Sequence, residues 1–141
     1  MSFDLKLDEG DIRIEDGDLA VVYDTDKLTQ DLLKIIITPL NSNPVHPWYG
    51  SNVGLALIGN TFDLDFGLEA ARAQVSTAVD NLLRMQLAQS QEQILSPAES
   101  ILSIKDIYVN TNATDRRVVE IKASVISAAL TVTDVRFTVS L

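Results

Sequence analysis

Apolar and polar residues alternate from the start of the chain. Phe3, Leu5 and Leu7 interleave with Asp4, Lys6 and Asp8, and Ile12 and Ile14 interleave with Asp11, Arg13 and Glu15. A period of two puts one set on each face of a strand. Asp16-Gly17 follows, and glycine accepts the positive φ that a tight hairpin turn requires. Leu19-Ala20-Val21-Val22-Tyr23 supplies the return arm. Residues 1–23 are therefore predicted to form a β-hairpin, with room for a further strand before it. The period then changes. Leu28, Leu32, Ile35 and Ile36 are spaced by 4, 3 and 1, which is one face of a helix running from about Asp26 to Thr38. Asp24 or Thr25 is the predicted cap. Asp26 and Asp31 suit the positive end of the helix dipole. Pro39 stops the helix, because the residue before proline is pushed out of the α region.

Residues 39–62 read as a loop punctuated by Gly50, Gly54 and Gly59. Within it Val53–Ile58 is short and apolar, and periodicity leaves a helical turn and a buried strand equally open. A long helix is predicted from near Gly67, with Asp63 or Asp65 as cap. Leu68, Ala71, Val75, Val79 and Leu82 keep spacings of 3, 4, 4 and 3 before the stripe fades into Gln86, Gln89, Gln91 and Gln93. That second half is polar all round, which predicts projection into solvent or packing on a partner. Ser96-Pro97-Ala98-Glu99 has the form of a capping box with proline at the first helical position, which predicts a single helical turn. Leu102, Ile104, Ile107, Tyr108 and Val109 predict a strand with room for a bulge. Thr111–Asp115 is a turn. Val119, Ile121, Ala123 and Val125 alternate as a second strand, and Val135, Phe137, Val139 and Leu141 as a third. The fold class is α+β in one domain, 1–141, with an acidic N-terminal hairpin (1–23) and an α+β core (24–141). No internal repeat and no dividing linker is evident.

Charge adds one feature. Eleven Lys and Arg against twenty Asp and Glu give a net charge of −9. Residues 1–31 hold ten of the acids and three of the bases, so the excess is N-terminal. An acidic arm repels nucleic acid and anionic lipid, so neither is expected as a direct partner. The arm reads either as a solvated strand face or as a surface for a basic neighbour. At 46% hydrophobic and 22% charged, the chain is otherwise of ordinary globular composition. No apolar run approaches a membrane span. MSFDLKLDEGD lacks the basic and apolar regions of a secretory signal. The absence of cysteine excludes disulfides, thiolate metal sites and a cysteine nucleophile.

Catalytic signals are weak. His46 is the only histidine, and no GxSxG elbow or neighbouring aspartate accompanies it. Asp63-x-Asp65 lacks the further ligands of an EF-hand and reads better as helix capping. Twenty acids always permit a carboxylate pair, so glycoside hydrolysis has no positive signal. Asn112-Ala113-Thr114 matches a sequon that short chains carry by chance, and Arg116-Arg117 is too short for a nucleic-acid patch. No catalytic, cofactor-binding or metal-binding residue is assigned, and no enzyme activity is expected. What stands out is TPLNSNPVHPWYGS, residues 38–51, which holds three of the four prolines and the only tryptophan. Fixed φ angles lower the entropy lost on binding, and Trp and Tyr are favoured at interface hot spots. His46, Pro47, Trp48, Tyr49 and Gly50 are thus candidate partner contacts. The equal alternative is that Trp48 and Tyr49 fold back as lids over the first helix.

The order of motifs is similar to that of the small baseplate wedge proteins of contractile-tailed phages, whose relatives occur in tailocins and the type VI secretion baseplate. The resemblance runs from DIRIEDGDLAVV through LTQDLLKIIITP and NPVHPWYGSNVG to VVEIKASVISAAL and DVRFTVSL, nearly the whole chain. Its most specific part is ITP followed by Pro47-Trp48-Tyr49-Gly50-Ser51. That family commonly carries a Glu-Pro-Arg type signature with a following aromatic and glycine. Pro47, Tyr49 and Gly50 match it. His46 and Trp48 depart from it, so charge pairing through those positions is not carried over. The resemblance implies a virion protein of the tail baseplate, assembled in the host cytoplasm, with six copies around the tail axis. Its implied partners are the tail sheath protein, other wedge proteins and the tail tube or hub. It would template the first sheath ring by offering a strand edge, for which the strand bearing Val135, Phe137, Val139 and Leu141 is suitable. The alternative is an adaptor of a related contractile injection or secretion machine. A peptidoglycan hydrolase rests only on the lysozyme label some relatives carry and on the surplus of acids.

Overall fold

A computed structural model describes residues 2–60 and 63–141; the end of the predicted loop, 61–62, lies outside the described residues. Among the described residues the order is six short strands, three helices and three long strands, an α+β arrangement. The short strands are β1 (Asp4–Leu5), β2 (Leu7–Asp8), β3 (Asp11–Ile12), β4 (Ile14–Glu15), β5 (Asp18–Leu19) and β6 (Val21–Val22). The helices are α1 (Asp24–Ile37), α2 (Val53–Ile58) and α3 (Leu64–Gln89), and the long strands are β7 (Ile101–Thr111), β8 (Val118–Ser127) and β9 (Val132–Ser140).

The N-terminus is not one hairpin. Residues 7–13 (LDEGDIR) and 14–20 (IEDGDLA) form a tandem repeat of seven residues, which corrects the expectation of none. Each copy turns on a two-residue loop. Glu9 and Gly10 have φ of 51° and 87°, and Asp16 and Gly17 have 54° and 84°. Two successive positive φ values are the turn that matches strand twist. The residues joining the units, Lys6, Arg13 and Ala20, close a ring. Lys6 N–H donates to Ala20 O (2.8 Å), Ala20 N–H to Arg13 O (3.0 Å) and Arg13 N–H to Lys6 O (3.0 Å). Three two-stranded units, β1·β6, β2·β3 and β4·β5, thus radiate from one centre. Short strands suffice because the ring satisfies the backbone groups at the joints.

The C-terminal sheet has the order β7-β8-β9, antiparallel throughout. α3 packs on β7 and α1 on β9. The predicted stripes meet between them: Leu28, Leu32 and Ile35 from α1, Ala71, Val75, Val79 and Leu82 from α3, and Val119, Ile121, Ala123 and Val125 from β8 are buried. The opposite sheet face is open, as antiparallel sheets allow. Val53–Ile58 is resolved as helix. α3 begins at Leu64, earlier than expected, because Asp63 Oδ1 accepts the Phe66 N–H at 3.1 Å and caps it there. β9 begins at Val132, ahead of the expected Val135. β7 shows the expected irregularity as two register shifts, at Ile101/Ser103 and Ile104/Asp106.

Three local expectations are corrected. The N-cap of α1 is Tyr23, with no side-chain capping bond. Asp24 is the first helical residue at φ 50°, and its carboxylate accepts the Ser96 hydroxyl at 2.5 Å instead. The second half of α3 does not lack an inward face. Gln86, four residues beyond Leu82, is buried, donating to Glu99 O (2.8 Å) and accepting from Ile101 N (2.8 Å). An amide offers both a donor and an acceptor, so it can close the two open groups at a strand start. The capping box is present, with Ser96 N–H to Glu99 Oε1 at 2.7 Å and Glu99 N–H to Ser96 Oγ at 3.3 Å, but β7 begins before a helix develops.

Candidate partner-binding site

Residues 39–51 form an Ω-loop whose ends are tied together. Ser51 N–H donates to Thr38 O (2.8 Å) and Leu40 N–H to Ser51 O (3.1 Å). The Ser51 hydroxyl donates to Ile36 O at the end of α1. Inside, Asn41 N–H reaches Pro47 O (3.0 Å), and Asn43 Oδ1 accepts the N–H groups of Val45 (2.9 Å) and His46 (3.2 Å). Gly50 closes the loop at φ 123°, and a Cβ there would lie 2.5 Å from Thr38 O. The backbone passes too close to α1 for any side chain.

The two aromatic readings are divided between two residues. Tyr49 is half-buried and packs on the core. Burial pushes its phenol pKa up and the Asp31 and Asp4 carboxylates add to this, against the opposing Lys34 ammonium. Trp48 is 42% exposed. Its ring centroid is 5.5 Å from that of the exposed His46 and 6.2 Å from that of Tyr49. The loop therefore presents His46, Pro47 and Trp48 outward and uses Tyr49 and Gly50 to hold itself down.

Beneath Tyr49 lies a row of alternating charges that sequence reading did not find. Asp4 pairs with Lys34, Lys34 Nζ is 3.3 Å from Asp31 Oδ1, Lys27 Nζ is 2.9 Å from Asp31 Oδ2, and Lys27 Nζ is 3.7 Å from Glu99 Oε2. The spacing of 27, 31 and 34 along a helix was the available signal; Asp4 and Glu99 are brought in by the fold. Burial alone would raise the Asp4 pKa, but bonds from Lys34 and Gln30 outweigh it and hold the carboxyl low. Burial opposes the Lys34 charge, yet Asp4 and Asp31 hold its pKa above the ordinary value. The row fastens the N-terminal ring to α1, helped by Gln30, which donates to Leu5 O (2.7 Å) and accepts from Leu7 N (2.8 Å).

β9 is an edge strand with nine paired residues and no register shift. Alternate pairs of an antiparallel ladder exchange hydrogen bonds. Leu141 N–H bonds to Arg117 O (2.7 Å) at one end and Ser127 N–H to Thr131 O (2.9 Å) at the other, which sets the phase. Thr133, Val135, Phe137 and Val139 therefore bond to β8. Their side chains face the core, with Val135 buried and Phe137 and Val139 packed against it. Asp134, Arg136, Thr138 and Ser140 turn their N–H and C=O groups to the free edge, where no other backbone hydrogen bond is made among the described residues. So the residues singled out from sequence build the strand, and the intervening ones offer its edge. The neighbouring Ser124 hydroxyl and the Lys122 ammonium, 3.4 Å away, hold the Asp134 carboxyl pKa low. The β7 edge is interrupted by its two shifts, a device that discourages pairing.

A groove of about 350 Å³ runs beside the free half of β9. Ile37, Pro39, Val53 and Leu55 line one side, and Phe137 and Val139 the other. It joins the base of the Ω-loop to the strand. His46 and Trp48 do not line it. Leu141, expected within the strand, lies one residue past its end at Ser140 and is 37% exposed. Comparison with protein-family models, curated proteins and solved structures finds no match to the chain.

Proposed function

We propose that the chain is a structural, non-enzymatic subunit of the baseplate wedge of a contractile tail, which binds other wedge proteins and templates the first ring of sheath. The motif order suggests it, and the observation that supports it best is the free β9 edge beside an apolar groove. A sheath segment adds as a further strand through the outward backbone groups of Asp134, Arg136 and Thr138. Its alternate side chains enter the groove between Leu55 and Val139, so the segment carries apolar residues at every second position. Six copies around the tail axis would offer six such edges to one sheath ring. The apex formed by His46 and Trp48 remains for a wedge neighbour, and the tube or hub meets another surface.

Truncating β9 would strip Val135 from the core, so a proline is the cleaner test. Thr138→Pro removes an outward N–H and no bond to β8, a position edge strands tolerate. The variant is expected to keep its circular dichroism spectrum and to block sheath growth on reconstituted baseplates, seen by electron microscopy. Arg136→Pro serves the same test should Thr138→Pro misfold. Normal sheath growth on either folded variant would remove β9 as the template. An assembled tail in which this chain lies away from the sheath–baseplate junction would remove the whole reading.

A further inference from the structure

The ring of three hairpins divides its side chains by face. Leu5↔Val21, Leu7↔Ile12 and Ile14↔Leu19 are directly opposed pairs, so their side chains share one face of each unit. The other face carries Lys6, Asp8, Arg13 and Glu15, which pair with one another at 2.6–3.2 Å. On the apolar face Ile14 is 67% exposed and Leu19 51%, and Leu7 and Ile12 are also exposed. Leu7 and Val21 continue into a groove of about 620 Å³ whose far wall is Leu33 and Ile37 of α1. Ile37 too is exposed. These are exposed apolar surfaces on a ring too small to have a core of its own, and nothing within the described residues covers them.

Charge selects the occupant. Glu9, Asp11, Asp16 and Asp18 at the hairpin tips, and Asp26 on the rim of the groove, make no ion pair among the described residues, whereas the two lysines that also line the groove are paired, Lys6 with Glu15 and Lys34 with Asp4 and Asp31. A second copy of this chain would bring the same carboxylates against them, and like charges at an interface disfavour it. An anionic membrane is disfavoured in the same way. We infer that the apolar face of the N-terminal ring, with its groove on α1, docks an amphipathic segment of another protein that carries apolar side chains along one side and lysine or arginine beside them. This site shares Ile37 with the groove beside β9 but uses none of the β9 edge, and it does not depend on the sheath reading.

The isotopically labelled full-length chain should be titrated, with amide resonances followed by NMR, against three designed peptides: an amphipathic Leu/Lys helix, the same pattern in Leu/Glu, and a scrambled Leu/Lys sequence. The Leu/Lys helix is expected to move resonances of residues 12–19 and 33–37, more strongly at low salt. The other two should move none. Ile14→Ser with Leu19→Ser, both exposed and so compatible with folding, should weaken binding about tenfold. Four outcomes would overturn the inference. These are no binding, equal binding of Leu/Glu, shifts limited to the acidic tips and unchanged by the double variant, or a wild-type dimer that the double variant turns into monomer in sedimentation.

Discussion

Lys27 stands between two carboxylates with little water. Its side chain is 7% exposed and that of Glu99 1%, and the Glu99 Oε2 has no hydrogen-bond partner among the described residues. The ammonium at 3.7 Å is therefore its compensation. Lys27→Met keeps the apolar stem and removes the charge. Asp31 would still have Lys34 at 3.3 Å, so the damage falls on Glu99. Leaving one member of a buried pair alone costs roughly 3–5 kcal/mol. Here the low end applies, about 3 kcal/mol, because Glu99 Oε1 keeps the Ser96 N–H and the ion pair is long. A domain of this size holds on the order of 10 kcal/mol, so the loss is a large fraction of its stability. Urea unfolding should give a lower midpoint with an unchanged m value. Glu99→Gln in the Lys27→Met background should recover at least half, since an amide oxygen can still accept from Ser96 and carries no charge. A Lys27→Met variant within about 1 kcal/mol of wild type, or a double variant no better than the single, would refute the reasoning.

Three further outcomes follow from other parts of the structure. Gly50→Ala should cost about 3 kcal/mol, since backbone strain adds to the 2.5 Å approach to Thr38 O. Gly17→Ala, at positive φ but in open space, should cost only about 1 kcal/mol; equal losses in urea unfolding would mean that the loop relaxes freely. The Asp4 pKa is lowered, so its contribution is present above about pH 3.9 and lost as pH falls through the folded value. The Lys34 pKa is raised, so its contribution is present below about pH 10.4 and lost as pH rises through the folded value. Asp4→Asn should flatten the acid limb of a plot of urea midpoint against pH, and an unchanged limb would detach the pair from stability. Leu55→Asp, at a side chain 69% exposed, should leave stability within about 0.5 kcal/mol. It should nevertheless slow sheath assembly, and an unaffected assembly rate would show that the groove takes no part.

The core was legible because helical and strand periods report burial directly. Every residue of the predicted stripe from Ala71 to Leu82 is inside, as are the four of β8. Period two was less informative at the N-terminus. Alternation continues through Lys6, Arg13 and Ala20 whether the chain runs straight or turns a corner, so strands of two residues look like one long hairpin. The missing signal was a glycine at each seventh position, Gly10 and Gly17, each preceded by an acid. Gln86 was missed for a different reason. A polar residue at a stripe position reads as the end of the stripe unless its backbone partners, here Glu99 O and Ile101 N, are known.

The edge of β9 lay further from reach of the sequence. Which residues face the core follows from alternation, but which ones point N–H groups outward depends on the phase of the ladder, and only pairing with β8 sets that. The Ω-loop lies between these cases. Its rigidity could be read from three prolines and a glycine, yet neighbouring aromatics took opposite roles. Tyr49 N–H bonds to His46 O at 2.9 Å, a turn that folds the chain back just where Tyr49 meets α1. Trp48 is left outside, its ring tilted at 57° to that of His46, with its backbone carbonyl accepting from Asn81 at 3.4 Å. The exposed pair thus sits on backbone already fixed at both ends. A partner meeting it loses little conformational freedom in the loop, which is the circumstance in which a half-exposed tryptophan contributes most to binding.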